Sequence, residues 1–269
     1  MAIFECKMFS NELFASVCVN VILPTPDSGD FFLGTKTAFP KEGQKYQVLY
    51  LLHGISADHT DWARFSGIER YAQEKQLAVV MPAVSNSLYC NLLAGGNYYN
   101  YYTKELPAMM ESLFPISKKR ENTFVAGLSM GGFGAYKAAL RNPEKYAAAA
   151  SLSGGMSRVE NRENVPIDTS KWSAAAYGKN GEYYNPEEED LKVLLKKLID
   201  SGADMPKLYQ ACGTEDFIYP MNASFRDYAR SIGAELTYEE GPGIHDWNFW
   251  DPYIRRVLDW LPTKGGFVD

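Results

Sequence analysis

Five residues, Gly127-Leu-Ser-Met-Gly131, constrain this chain more than any other part of it. The apolar run Thr123-Phe-Val-Ala126 leads into them. Gly132-Phe-Gly-Ala-Tyr-Lys-Ala-Ala-Leu140 leads out as an alanine-rich helical segment stopped by Asn142-Pro143. A strand that reverses into a helix so sharply leaves no room for side chains beside the turn. Glycines at 127 and 131 tolerate that close approach, and Ser129 at the apex is turned outward at the end of the strand. The pattern predicts a strand, a nucleophile elbow and a helix in that order.

The rest of the chain supplies a frame for such a unit. Ile3 to Phe9 and Leu13 to Leu23 read as a hairpin turning at Ser10-Asn11-Glu12, and residues 24–45, rich in Pro, Gly, Asp and Lys, read as a loop. Gln47 to Leu52 and Leu77 to Met81 are continuous apolar runs, the mark of strands buried on both faces. Further strands are expected at Pro206 to Ala211 and Glu235 to Glu239. Tyr146 to Leu152 is a strand candidate whose four alanines suit a helix equally. Helices are expected at Gly67 to Lys75, Leu106 to Phe114, Glu187 to Ser201, Asn222 to Ile232 and Asp251 to Leu261. Strands alternating with helices imply a mostly parallel central sheet flanked by helices on both faces, an α/β class. The 269 residues fit one domain spanning 1–269, and a 46% hydrophobic content fills its core without disulfide or metal staples. Residues 153–185 are long for a plain connection and suggest a small cap-like or lid insertion.

Composition removes several classes of function. The net charge of −6 is spread along the chain with no Lys/Arg-rich run, which argues against nucleic-acid and anionic-membrane partners. No stretch approaches the roughly 18 apolar residues of a membrane span. The start, Met1-Ala-Ile-Phe-Glu-Cys-Lys-Met8, lacks the layout of a signal peptide, so a cytoplasmic location is expected. Cys6, Cys18, Cys90 and Cys212 form no CxxC pair and read as buried thiols, with a Cys6–Cys18 pairing across the hairpin left open. Neither metal-ligand spacing nor a nucleotide-binding glycine fingerprint is present, so no metal and no cofactor is expected.

A serine hydroxyl attacks only when a positioned base takes its proton. The α/β-hydrolase order is serine, then an acid, then histidine. The histidines are His53, His59 and His245, and only His245, in Gly241-Pro-Gly-Ile-His-Asp-Trp247, follows Ser129. The acid is sought after the preceding strand, where Gly213-Thr-Glu-Asp-Phe217 offers Glu215 and Asp216. Asp216 is preferred, with Asp204 and Asp246 as rivals. An acyl-transfer site also needs donors for the oxyanion. The N–H of Met130, next to the serine, is one; that of Ile55, in the loop begun by His53-Gly54, is the other. His53 reads as a loop-shaping residue, and His59 carries no partner signal. Tyr98, Tyr101 and Trp247 stand in aromatic runs that either wall a substrate pocket or pack the fold or a subunit interface.

With these residues in view, the chain resembles the esterase D group of α/β-hydrolases, which includes S-formylglutathione hydrolases and bacterial tributyrin esterases. The resemblance covers most of the chain. It rests on Tyr50-Leu-Leu-His-Gly-Ile-Ser56, Val80-Met-Pro82, Ala126-Gly-Leu-Ser-Met-Gly-Gly-Phe-Gly-Ala135, Cys212-Gly-Thr-Glu-Asp-Phe217 and Gly241-Pro-Gly-Ile-His-Asp-Trp-Asn-Phe-Trp250. The long string from Gly241 places it nearest the tributyrin-esterase branch. The resemblance implies a Ser129–Asp216–His245 triad and small acyl esters as substrates, in a group whose members are frequently homo-oligomers. S-formylglutathione hydrolases usually carry cysteine in the loop after the first oxyanion glycine; here that loop reads Ile55-Ser-Ala-Asp-His-Thr60. The expectation is a serine carboxylesterase for short-chain acyl esters. The alternatives are an S-formylglutathione hydrolase, a feruloyl or acetyl-xylan esterase, and a catalytically silent hydrolase scaffold used for binding.

Overall fold

A computed structural model describes residues 1–34, 38–157, 165–166 and 168–268. Eight strands form one sheet: β1 (Ala2–Ser10), β2 (Ala15–Leu23), β3 (Gln47–Leu52), β4 (Leu77–Pro82), β5 (Thr123–Leu128), β6 (Ala148–Leu152), β7 (Lys207–Gly213) and β8 (Leu236–Gly241). Their order across the sheet is β1-β2-β4-β3-β5-β6-β7-β8. The β1–β2 and β2–β4 pairs are antiparallel, and all pairs from β4 to β8 are parallel.

The two-faced burial anticipated for the central strands follows from their alternation. Val48, Tyr50, Leu52, Val80 and Val125 face one core. Leu49, Leu51, Val79, Met81, Phe124 and Ala126 face the other. Helices α1 (Ile68–Lys75) and α6 (Trp247–Trp260) cover the second face through Ile68, Tyr71, Ile254 and Val257. Helices α2 (Leu106–Leu113), α3 (Met130–Arg141), α4 (Leu191–Ser201) and α5 (Tyr219–Ser231) cover the first. This is the α/β-hydrolase architecture. Of the four alanines at 147–150, the last three resolve as strand: Ala148 to Ala150 are fully buried between β5 and β7, where short side chains let α3 lie close to the sheet.

Several boundaries differ from expectation, each through a capping side chain. Residues 24–45 contain a helical turn, Ser28–Leu33, closed at its start by reciprocal hydrogen bonds between Asp27 and Asp30. The helix expected from Glu187 breaks at Asp190, whose extended backbone and side chain cap α4 at Lys192 and Val193. Helix α6 starts four residues before Asp251, because Asp246 accepts from the N–H groups of Asn248 and Phe249. Across the hairpin Cys6 faces Val19 and Cys18 faces Lys7, so the two thiols lie on opposite faces and do not pair. Among the described residues no helix is long and apolar enough to cross a membrane.

A buried charge joins α3 to the segment that follows the candidate insertion. Lys137 is fully buried, and its Nζ lies 2.6 Å from both carboxylate oxygens of Glu189 and 3.2 Å from the Tyr89 carbonyl. Tyr177, at the end of the helical segment Ser170–Tyr177, donates to Glu189 Oε2 at 2.8 Å. Removing either charged partner strands the other away from water, a loss of about 3–5 kcal/mol. Residues 158–164 and 167 of the expected 153–185 insertion lie outside the described residues.

Candidate active site

Ser129 sits between β5 and α3 with φ 53° and ψ −118°, a positive-φ conformation that strains a residue carrying a Cβ. Glycine at the two flanking positions is a packing demand. A Cβ on Gly127 would stand 2.4 Å from the Gly131 backbone, and one on Gly131 would stand 2.3 Å from the Leu52 carbonyl oxygen. The strained turn delivers Ser129 Oγ to 3.0 Å from His245 Nε2.

The loop carrying His245 is held against the end of β7. Gly213 and Gly243 touch so closely that a Cβ on the former would meet the carbonyl oxygen of the latter at 2.2 Å. Glu215 reinforces this contact: its N–H donates to the Gly243 carbonyl at 3.1 Å, and its Oε2 accepts from the Gly243 N–H at 2.7 Å. That backbone hydrogen bond, with one from the Thr214 hydroxyl, holds the Glu215 carboxyl below its ordinary pKa. Glu215 therefore faces away from the imidazole, whereas Asp216 points at it. Asp216 is buried, and its Oδ2 and Oδ1 lie 2.9 and 3.1 Å from His245 Nδ1. Oδ1 also accepts from the Ile218 N–H at 3.0 Å, which sets the carboxylate's orientation. The rival acids are committed elsewhere, Asp246 as the α6 cap and Asp204 in an exposed pair with Arg120 at 2.9 Å.

Phe217 and Trp250 flank the His245 ring, with centroids 4.5 and 4.9 Å away, the latter edge-on. The Trp250 Nε1–H donates to Ser153 Oγ at 3.1 Å. Trp250 belongs to the aromatic run weighed from sequence as a pocket wall, whereas Phe217 was not among the candidates. Phe217 carried a signal, being adjacent to the acid.

Met130 opens α3, where the first N–H groups lack helical acceptors and face the positive end of the helix dipole. Gly54 brings the Ile55 backbone alongside: a Cβ there would lie 2.8 Å from Leu128 Cδ1 and 3.3 Å from Ser129 Cβ. Supports that sequence reading did not single out hold this loop. Trp62 donates to the Leu52 carbonyl, Tyr89 to the His53 carbonyl, and the Ser56 N–H donates to Asn86 Oδ1.

His53 is buried, with Nδ1 2.7 Å from the Gly54 carbonyl oxygen and Nε2 accepting from the Val84 N–H at 3.0 Å. Burial lowers its pKa from 6.5 to about 4, so the ring is neutral at physiological pH and shapes the loop without acting as a base. Between those values the unfolded chain binds the proton and the folded one does not. Stability is thus full above about pH 6.5 and falls as the pH drops toward about 4, by up to about 3 kcal/mol. Thermal melts of the wild type and His53→Asn across this window are expected to show a steeper loss for the wild type. Parallel pH profiles would refute the assignment.

Ile55, Ser129, Met130 and His245 share one cavity of about 70 Å³ with Gly155, Ser157, Val165, Thr169, Phe217, Ile218 and Met221. Its walls are mainly apolar, and its volume admits only a few non-hydrogen atoms, well below the roughly 300 Å³ at which drug-sized pockets begin. Tyr98, Tyr101 and Trp247 do not line it. Tyr101 is fully buried in the core, and Tyr98 packs against that core. Neighbouring Tyr102 reaches the back of α3, donating to the Gly134 carbonyl. Trp247 packs on Trp62, Phe65 and Trp250.

Residues 32–261 match the family model described as "Putative esterase". The chain is 29% identical to the acetyl esterase of Caldicellulosiruptor saccharolyticus over 97% of its own length and 98% of that protein's. It is 36% identical to the fluorophosphonate-binding serine hydrolase FphF of Staphylococcus aureus, covering 97% and 98% of the two chains with a TM-score of 0.83. It is equally similar in sequence to the S. aureus S-formylglutathione hydrolase FrmB, with the same coverage and a TM-score of 0.81. A ferulic acid esterase at 23% identity and TM-score 0.75 shares the fold. An elbow serine hydrogen-bonded to a histidine, inside a chain matched along nearly its whole length, identifies the protein as a member of this esterase family of α/β-hydrolases, a serine hydrolase of carboxylic esters.

Proposed function

We propose that the protein hydrolyses short-chain acyl esters of the acetyl to butyryl range, and that Ser129, His245 and Asp216 carry the reaction. Ser129 Oγ attacks the ester carbonyl carbon while His245 Nε2 takes the hydroxyl proton. Asp216 holds the Nδ1–H and stabilises the imidazolium. The N–H groups of Met130 and Ile55 receive the negative charge that develops on the carbonyl oxygen, each worth about 3–4 kcal/mol of barrier. The imidazolium passes its proton to the departing alcohol. Water, deprotonated by His245, then cleaves the acyl-enzyme to free acid and serine. We read residues 1–269 as one domain, with the 153–185 insertion contributing Thr169 to the acyl wall.

The observation that carries the chain-length preference is the small apolar cavity of about 70 Å³ beside Ser129. The acetyl esterase among the relatives agrees with it. Hydrolysis of p-nitrophenyl esters from acetate to octanoate is expected to give the highest kcat/KM at acetate to butyrate and about a tenfold or greater fall by octanoate, since misfitting methylenes are each worth about 1 kcal/mol or more. A glutathione thioester and a feruloyl ester belong in the same panel. A preference for either, or for octanoate, overturns the reading.

A further inference from the structure

Away from Ser129, the N-terminal hairpin and the loop after β3 bring together three side chains of a kind that bind transition metals. Glu5 on β1, Cys18 on β2 and His59 each place one carboxylate oxygen, the thiol sulfur or a ring nitrogen within 4.8 Å of the others. The strand register explains the convergence. Glu5 pairs with Asn20 and Lys7 with Cys18, so Glu5 and Cys18 are diagonal neighbours on one face of the hairpin. Asn20 on that face donates from Nδ2 to the His59 carbonyl at 3.1 Å, which draws the loop over it.

His59 Nδ1 is buried without a hydrogen-bond partner, its nearest carboxylate being Asp58 Oδ1 at 3.7 Å. An unpaired buried imidazole nitrogen is costly, and a metal ion bound at that nitrogen removes the cost. We propose that Glu5, Cys18 and His59 form a site for a divalent cation of the zinc class. Thiolate, imidazole and carboxylate together match the tetrahedral preference of such an ion, with water as the fourth ligand. Lys7, across the ladder from Cys18, is exposed and free to swing its ammonium into solvent. Cys18 releases its thiol proton to solvent as the metal–sulfur bond forms. The ion would tie both strands of the hairpin to the loop that carries Ile55.

Cobalt(II) titrated into chelator-treated enzyme is expected to reach one ion per chain and to produce a thiolate-to-cobalt charge-transfer band, abolished by added zinc. Cys18→Ser is expected to lose the band, and His59→Ala and Glu5→Gln to weaken cobalt binding at least about tenfold. Cys6→Ser, altered on the opposite face of the hairpin, is expected to retain the band. Ester hydrolysis by each metal-free variant reports that it is folded. Absence of the band in the wild type, or its survival in Cys18→Ser, overturns the site; should Cys18→Ser fail to fold, undiminished affinity in Glu5→Gln does so.

Discussion

Ser129→Ala is expected to lower kcat for p-nitrophenyl acetate by about 10⁶-fold while leaving the fold intact. The serine makes no structural contact that alanine would break except its hydrogen bond to His245 at 3.0 Å. Its loss removes the covalent route altogether. Residual hydrolysis of about 10³-fold over water is expected to persist, because the Met130 and Ile55 N–H groups still receive the oxyanion when water attacks. Adding His245→Ala to Ser129→Ala should then cost almost nothing more, since a base without its nucleophile has no proton to take. Labelling by a fluorophosphonate gives an independent readout and is expected to vanish. Retention of hydrolysis within tenfold of wild type would exclude Ser129 as the nucleophile.

Asp216→Asn is expected to cost about 10⁴-fold in kcat. Asparagine keeps the volume and can keep the hydrogen bond to the Ile218 N–H. However, its amide offers either a donor to His245 Nδ1 or a neutral oxygen. The first imposes the tautomer whose Nε2 cannot accept from serine, and the second leaves the imidazolium without a countercharge. Glu215→Gln provides the contrast. That side chain is exposed and grips the Gly243 N–H, a bond the glutamine oxygen can still accept. Its expected cost is within about tenfold, the size of a modest shift in a positioning residue. A larger loss at Glu215 than at Asp216, measured on the same ester, would reverse the two roles.

The legible parts of the molecule were those governed by local geometry. The elbow could be read because its tight strand-to-helix turn presses Gly127 against the Gly131 backbone only four residues on. The central strands could be read because burial on both faces leaves an unbroken apolar run. His245 could be named by elimination, and Asp216 by its place at the end of β7. What escaped depends on partners distant in sequence. Tyrosine is equally at home in a pocket wall and a core, and the fate of Tyr102 is decided by the Gly134 carbonyl 32 residues away. The support of the oxyanion loop by Trp62, Tyr89 and Asn86 is likewise tertiary, with no trace in any local pattern. Helix starts moved because Asp190 and Asp246 serve as caps, and an aspartate at such a spot reads equally well as a surface charge.

The buried Lys137–Glu189 pair, with Tyr177 joined to it, bears on how such a protein diversifies. It secures the chain just after the stretch that supplies Val165 and Thr169 to the cavity beside Ser129, and it does so on the helix that begins at Met130. Before that stretch, the Gly155 N–H donates to the Ser129 carbonyl at 3.1 Å. Substitution at Val165 or Thr169 can therefore reshape the cavity while Ser129 and His245 keep their places. Descendants of one ancestral chain could part ways in diet without reinventing their chemistry.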